Sequence, residues 1–220
     1  AVREGRLPRA AAACAFRPAL AEGQAFATLD LAGPSLDDSL PWHPTDPACL
    51  RAAESHGRHC LSSIVERLRI TLPELKGLHI AAFAEQPGVR ESRRAIGLYQ
   101  MTEADLLESR PFSDAIAHVA WPMELREKAT GPKFRYPQGD TAPQIPLRCL
   151  RHREVSNLWL AGRGISPSHE AAASLRVMGT CLATGQAVGT AAALAMSAAS
   201  ADMDALAEAV RNRLGETAAS

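Results

Sequence analysis

The chain has 220 residues, 24 basic and 24 acidic side chains, no formal net charge, and 46% hydrophobic residues, with 15 each of Gly and Pro. That is a globular composition, and it excludes disorder and fibrous repeats. The neutral balance leaves no electrostatic footprint for nucleic acid or an anionic membrane.

Aromatics make up only 5%, so the core is expected to be built from Ala, Leu, Val and Ile. Five cysteines (Cys14, Cys49, Cys60, Cys149, Cys181) are scattered without a CxxC. An odd, unpaired set points to a reducing compartment, and the expected location is cytoplasmic. The apolar run at 10–16 is too short for a signal-peptide core and is followed by Arg17-Pro18. A start without Met reads as a piece of something longer.

Residues 1–47 are rich in Pro, Gly and Ala. Residues 25–31 are a candidate strand, broken by Gly33-Pro34-Ser35, and Trp42-His43-Pro44 is a loop. From 47 to 70, Leu50, Ala53, Gly57, Cys60, Leu61, Ile64 and Leu68 recur at helical steps. Residues 78–84 and 95–101 have strand length. Thr102 followed by Asp105 is a helix start, since the hydroxyl can accept from the third amide. Residues 111–146 carry six prolines and predict extended loops and edge strands. Residues 155–161 predict a buried strand, 177–199 a helix of small residues, and Asp202 a last helix with Leu206, Val210 and Leu214 on one side.

The stretch most informative about chemistry is NLWLAGRGIS at 157–166, followed by RVMGTCLATGQAVG at 176–189. A strand ending in Gly-Arg, a loop and a helix opening with small residues make a common ligand-binding join in α/β proteins. The helix start offers amides and partial positive charge, and glycine lets a flat or phosphorylated ligand approach the backbone. Gly185 and Gly189, four apart, predict close packing against a sheet or another helix. Two bland readings stand beside this. A strand–Gly–helix join is often only structural. The run from 177 also has a GxxxG face, as in membrane helices, although Gln186 and the lack of aromatic anchors argue against a span.

The segment NLWLAGRGISPSHEAAASLRVMGTCLATGQAVGTAAALA resembles the C-terminal signature of the FAD-dependent oxidoreductase family. RESRRAIGLYQMTEADLLESRPFSDAIAH and IPLRCL resemble two further blocks of that family, in the same order and spacing, so that the resemblance covers about residues 87–215. Three departures stand out. Ala120-Trp-Pro-Met-Glu124 replaces a Tyr-Pro-Ile-Asp-like run, Gly164 stands where Cys is frequent, and Gly179 where Pro is common. The family's N-terminal GxGxxG turn, which holds the ADP half of FAD, has no counterpart in the chain.

The resemblance implies an α/β fold, α+β as an isolated piece. It would be the C-terminal part of a glutathione-reductase-like FAD-binding fold, with substrate-domain strands and a long closing helix. The implied organisation is a substrate-domain portion over 1–86 with a helix near 48–69, flavin-facing strands and loops over 87–154, the FAD-binding strand–loop–helix over 155–200, and a terminal helix and tail over 201–220. Gly162 and Arg163 would lie near the diphosphate and ribityl chain. Arg176, Val177, Met178 and Thr180 would open the closing helix under the flavin ring. The implied reaction is hydride transfer from a small organic substrate to FAD, with an N-terminal FAD-binding half as partner. The alternative is a non-catalytic remnant or interaction subunit that cannot hold FAD alone.

Arg90 and Arg93 are candidate substrate-binding cations, Arg93 also a candidate catalytic residue; in bare form they are surface charges. His169, beside Glu170, is a candidate proton-handling residue, or part of a capping loop that opens a helix. His56, His59 and Cys60, with Cys49 before them, share a helical face, but no second short-spaced ligand pair follows and no metal site is assigned. Cys181 reads as a small buried residue.

Overall fold

The computed structural model describes residues 2–31, 43–126, 131–197 and 202–218. The chain forms two compact units, one of residues 1–92 and 126–133, the other of residues 93–125 and 134–220. Gly33-Pro34-Ser35, Trp42 and the last two residues of the expected 177–199 helix lie outside the described residues.

In the first unit, β1 (Ala15–Pro18) and β2 (Ala25–Thr28) form an antiparallel hairpin with Ala15 opposite Thr28. Helix α1 (Pro47–Thr71) starts where Asp46 Oδ1 accepts from the Ala48 amide at 2.7 Å, with Pro47 in the first turn. Both are favoured helix openings. Ala53, Cys60 and Ile64 are buried on the stripe expected from the sequence, and Val65 is buried beside it. Residues 78–84, expected as a strand, form none among the described residues.

The second unit holds a contiguous apolar core that includes Met101, Ile145, Leu147, Leu150, Ile165, Leu175 and Val210. Helix α2 (Glu103–Leu107) opens with a full capping box: Thr102 accepts from the Asp105 amide and Asp105 accepts from the Thr102 amide. The Pro-rich stretch yields short strands. β3 (Ala115–His118) pairs antiparallel with β6 (Gln144–Pro146), and β4 (Met123–Leu125) pairs with β5 (Lys133–Arg135). Helices α3 (His169–Leu175), α4 (Met178–Ser197) and α5 (Met203–Ala218) follow. Asp202 Oδ1 accepts from the Asp204 amide at the start of α5, whose Leu206 and Val210 are buried.

Helices mixed with small sheets agree with the mixed α/β class in its coarse form. Two expected strands differ. Residues 95–101 and 155–161 are not strands of a ladder; they pair only at isolated bridges, Gly97 with His152, Met101 with Pro167 and Arg151 with Trp159. Their backbone bonds go to irregular partners instead of a neighbouring strand.

Helix α4 packs its inner positions Thr180, Thr184, Ala187 and Ala191 inward, and all four are buried. Its outer positions Met178, Gly179, Leu182, Gly185, Gly189 and Met196 are exposed. The close packing expected at Gly185 and Gly189 is therefore not found among the described residues: a Cβ at either would meet nothing within 4 Å. The physical reason is rotational. The 3.6-residue period puts these glycines opposite the Thr180–Thr184–Ala187 row. No single helix among the described residues is long and apolar enough to cross a membrane, and α3 and α4 are bent by 90° where they meet.

Candidate functional site

The second unit builds one distinctive turn. The chain leaves Trp159 extended, passes Ala161, and enters a single 3-10 turn at Gly162–Gly164. Gly162 has φ +63°, a left-handed conformation that disfavours any residue with a Cβ. Its amide donates to Thr184 Oγ1 at 3.3 Å. The Thr184 hydroxyl in turn donates to the Thr180 carbonyl at 2.9 Å. One buried threonine thus ties the turn to α4.

The other side of the turn is clamped to the 95–101 segment. The Ala95 amide donates to the Gly164 carbonyl at 3.0 Å, the Met101 amide to the Ser166 carbonyl at 2.9 Å, and the Ser168 amide to the Met101 carbonyl at 2.7 Å. Ser168 then caps α3, accepting from the Ala171 amide, and its hydroxyl donates to Glu170. The Glu170 carboxyl is held below the usual carboxylate range, first by its own backbone amide and then by Ser168, with His169 and Arg135 adding positive potential. Capping is thus realised at Ser168, and His169 stands exposed on the first turn of α3.

At the far end of α3, Arg176 donates to the Glu124 carbonyl at 2.9 Å, which fixes the joint to β4. Val177 sits in the bend. Met178, the first residue of α4, is 84% exposed. The first amides of a helix have no partner within it. A cation at this end is unfavourable for the helix dipole on its own and favourable beside an anionic ligand.

The expected site residues separate into groups. Gly162 and Arg163 share the exposed turn, and Arg176, Val177 and Met178 share the joint. Arg93 is brought toward the turn by the backbone, two residues before Ala95. Thr180 has its side chain buried, turned away from the open face of α4. Arg90 belongs to the first unit, where it lies 3.8 Å from the buried Asp30 carboxylate, which Arg126 also approaches at 3.0 Å. Sequence reading missed Thr184; a threonine inside an Ala/Gly helix carries no local mark of a long-range contact. His56 Nε2 lies 3.4 Å from the buried Cys60 thiol, and no group of three metal-ligating side chains forms among the described residues.

A family model described as FAD dependent oxidoreductase matches residues 3–214. The chain belongs to the FAD dependent oxidoreductase family. FAD is accordingly its cofactor. No curated protein and no solved structure matches the chain.

The residues of the turn fit part of that cofactor. Cβ positions built on Gly164 and Gly179 meet only open space, so a ligand can reach the backbone there. The donor set, two guanidinium groups and the amides at the start of α4, suits diphosphate oxygens or negative charge on the flavin ring.

Proposed function

We propose that this chain acts as the C-terminal portion of an FAD-dependent oxidoreductase, built on a glutathione-reductase-like plan, with a GxGxxG-bearing half as partner for the ADP end. Bound FAD supplies the redox chemistry, a hydride taken from a small organic substrate. The observation that carries the reading is the left-handed Gly162 turn tied to α4 through Thr184 and flanked by the exposed Arg163.

In this reading the Arg163 guanidinium forks onto phosphate oxygens, and a planar fork makes two directed bonds where an ammonium makes one. Arg176 and the first amides of α4 favour negative charge on the ring. Arg93 holds an anionic group of the substrate. His169, beside the ionised Glu170, holds and releases a proton on its imidazole. Five free cysteines suit a reducing compartment such as the cytoplasm.

The test is co-expression of the chain with its GxGxxG half, followed by visible absorption. Flavin bands with the half present, and none or weak ones without it, are expected. Arg163→Ala in the assembled protein weakens FAD retention by about 1.5–3 kcal/mol, the range for a hydrogen bond to a charged group. Retention at the wild-type level after dialysis places Arg163 elsewhere. A colourless assembly favours the non-catalytic remnant.

A further inference from the structure

The 95–101 segment runs between two others. On one edge, the Leu98 amide donates to the Arg151 carbonyl, the Tyr99 amide to the Arg148 carbonyl, and the Arg153 amide to the Ile96 carbonyl. On the other edge lie the bonds to Gly164, Ser166 and Ser168. Gly97 is buried at the middle of this crossing. A Cβ there would stand 2.8 Å from the Cys149 carbonyl oxygen, 3.0 Å from Ser166 Cβ and 3.2 Å from the Tyr99 carbonyl oxygen. Two of those three neighbours are backbone atoms, which have no rotamer to move. Buried Cys149 and Leu150 hold one side in the core. The other side is the Gly164–Ser168 stretch, which carries the site; Ile165 and Ser166 are buried there too, whereas Gly164 is exposed, so the strain of a close contact passes toward the turn.

We propose that Gly97 is a positioning residue for the flavin-facing turn: its missing side chain lets the 95–101 segment close on Ser166, and that closure sets Gly162, Arg163 and His169 in place. A methyl at 97 forces the segments apart by a few tenths of an ångström, and close-packed interiors pass such a shift along instead of absorbing it. The Ala95–Gly164 and Met101–Ser166 bonds lengthen first, because they flank the crossing. The turn then loses its register against α4, where the Gly162–Thr184 bond is already 3.3 Å long. An isolated glycine within an extended apolar run is the sequence mark of such a close approach.

The inference rests on the flavin lying at the Gly162 turn, so the experiment separates the two. In the assembled protein, FAD affinity is titrated by flavin fluorescence and the visible circular dichroism of bound flavin is recorded, for wild type, Arg163→Ala, Gly97→Ala and Ile145→Val. Gly97→Ala is expected to weaken FAD binding by on the order of tenfold and to change the dichroism of the flavin that remains bound. Ile145→Val, a small loss in the same core away from the turn, is expected to lower the thermal midpoint and leave affinity and dichroism unchanged. Should Gly97→Ala not fold, Ser166→Thr adds a methyl from the other side of the same crossing and carries the same expectation. Wild-type affinity and dichroism in a folded Gly97→Ala or Ser166→Thr, alongside loss in Arg163→Ala, overturns the role of Gly97. No effect from Arg163→Ala overturns the placement of the flavin.

Discussion

The first unit leans on one long helix, whereas the second is held by a core that many distant segments share. In the first, α1 buries Ala53, Cys60, Ile64 and Val65, while the hairpin leaves Phe16 and Phe26 46% and 68% exposed. In the second, Met101, Ile145, Leu147, Leu150, Ile165, Leu175 and Val210 are all but completely buried, and they come from five different stretches of chain. The contrast teaches where a site can be held to fractions of an ångström. The Gly162 turn is fixed by bonds to residues 95, 101 and 184, whereas Arg90 and Arg126 meet on Asp30 as an ion-pair cluster.

The largest test of this contrast is truncation in each core. Ile145→Ala is expected to cost about 2–5 kcal/mol, and Ile64→Ala to fall near the lower end of that range, because Ile145 belongs to the large core cluster and Ile64 does not. Denaturant unfolding of both variants measures this; equal losses would break the contrast.

A second test uses pH. Burial pushes the Cys149 thiol from 9.0 up to about 11, with backbone hydrogen bonding at Ser166 and Met101 opposing the rise only in part. The native state therefore keeps a proton that the unfolded chain releases. The resulting stability is fully present below pH 9 and is lost between about pH 9 and 11, in an amount on the order of 2 kcal/mol. Comparing alkaline unfolding of wild type and Cys149→Ala isolates it, since Tyr and Lys titrate alike in both. An identical alkaline slope would show that Cys149 reaches solvent. The same burial makes Cys149 slow to alkylate at pH 8.

The smallest effect sharpens the picture of α4. Gly185→Leu is expected to change the thermal midpoint of this chain by the equivalent of no more than about 0.5 kcal/mol, as for other surface positions. A loss of about 1–3 kcal/mol would reveal a packed surface at the outer face of the helix.

Much of the local structure was legible. The apolar steps of α1 from 47 onward fall where the 3.6-residue period puts them, and Thr102 with Asp105 forms the expected capping box. These features rest on neighbours within four residues, so the sequence carries both partners side by side. The family resemblance over residues 87–215 was legible for a similar reason: its blocks are contiguous runs, and the family match spans residues 3–214.

What only the tertiary structure decided involves partners far apart in the chain. That residues 95–101 give up a regular ladder to clamp the Gly162 turn depends on Gly164, Ser166 and Ser168, some seventy residues on. That Thr184 holds the turn, and that Gly185 looks outward while Thr184 beside it looks inward, depends on which face of an almost uniformly apolar helix meets the core. Composition cannot choose that face, because Ala, Gly and Thr differ too little in hydrophobicity around its circumference. The choice falls to packing against β3 and α5.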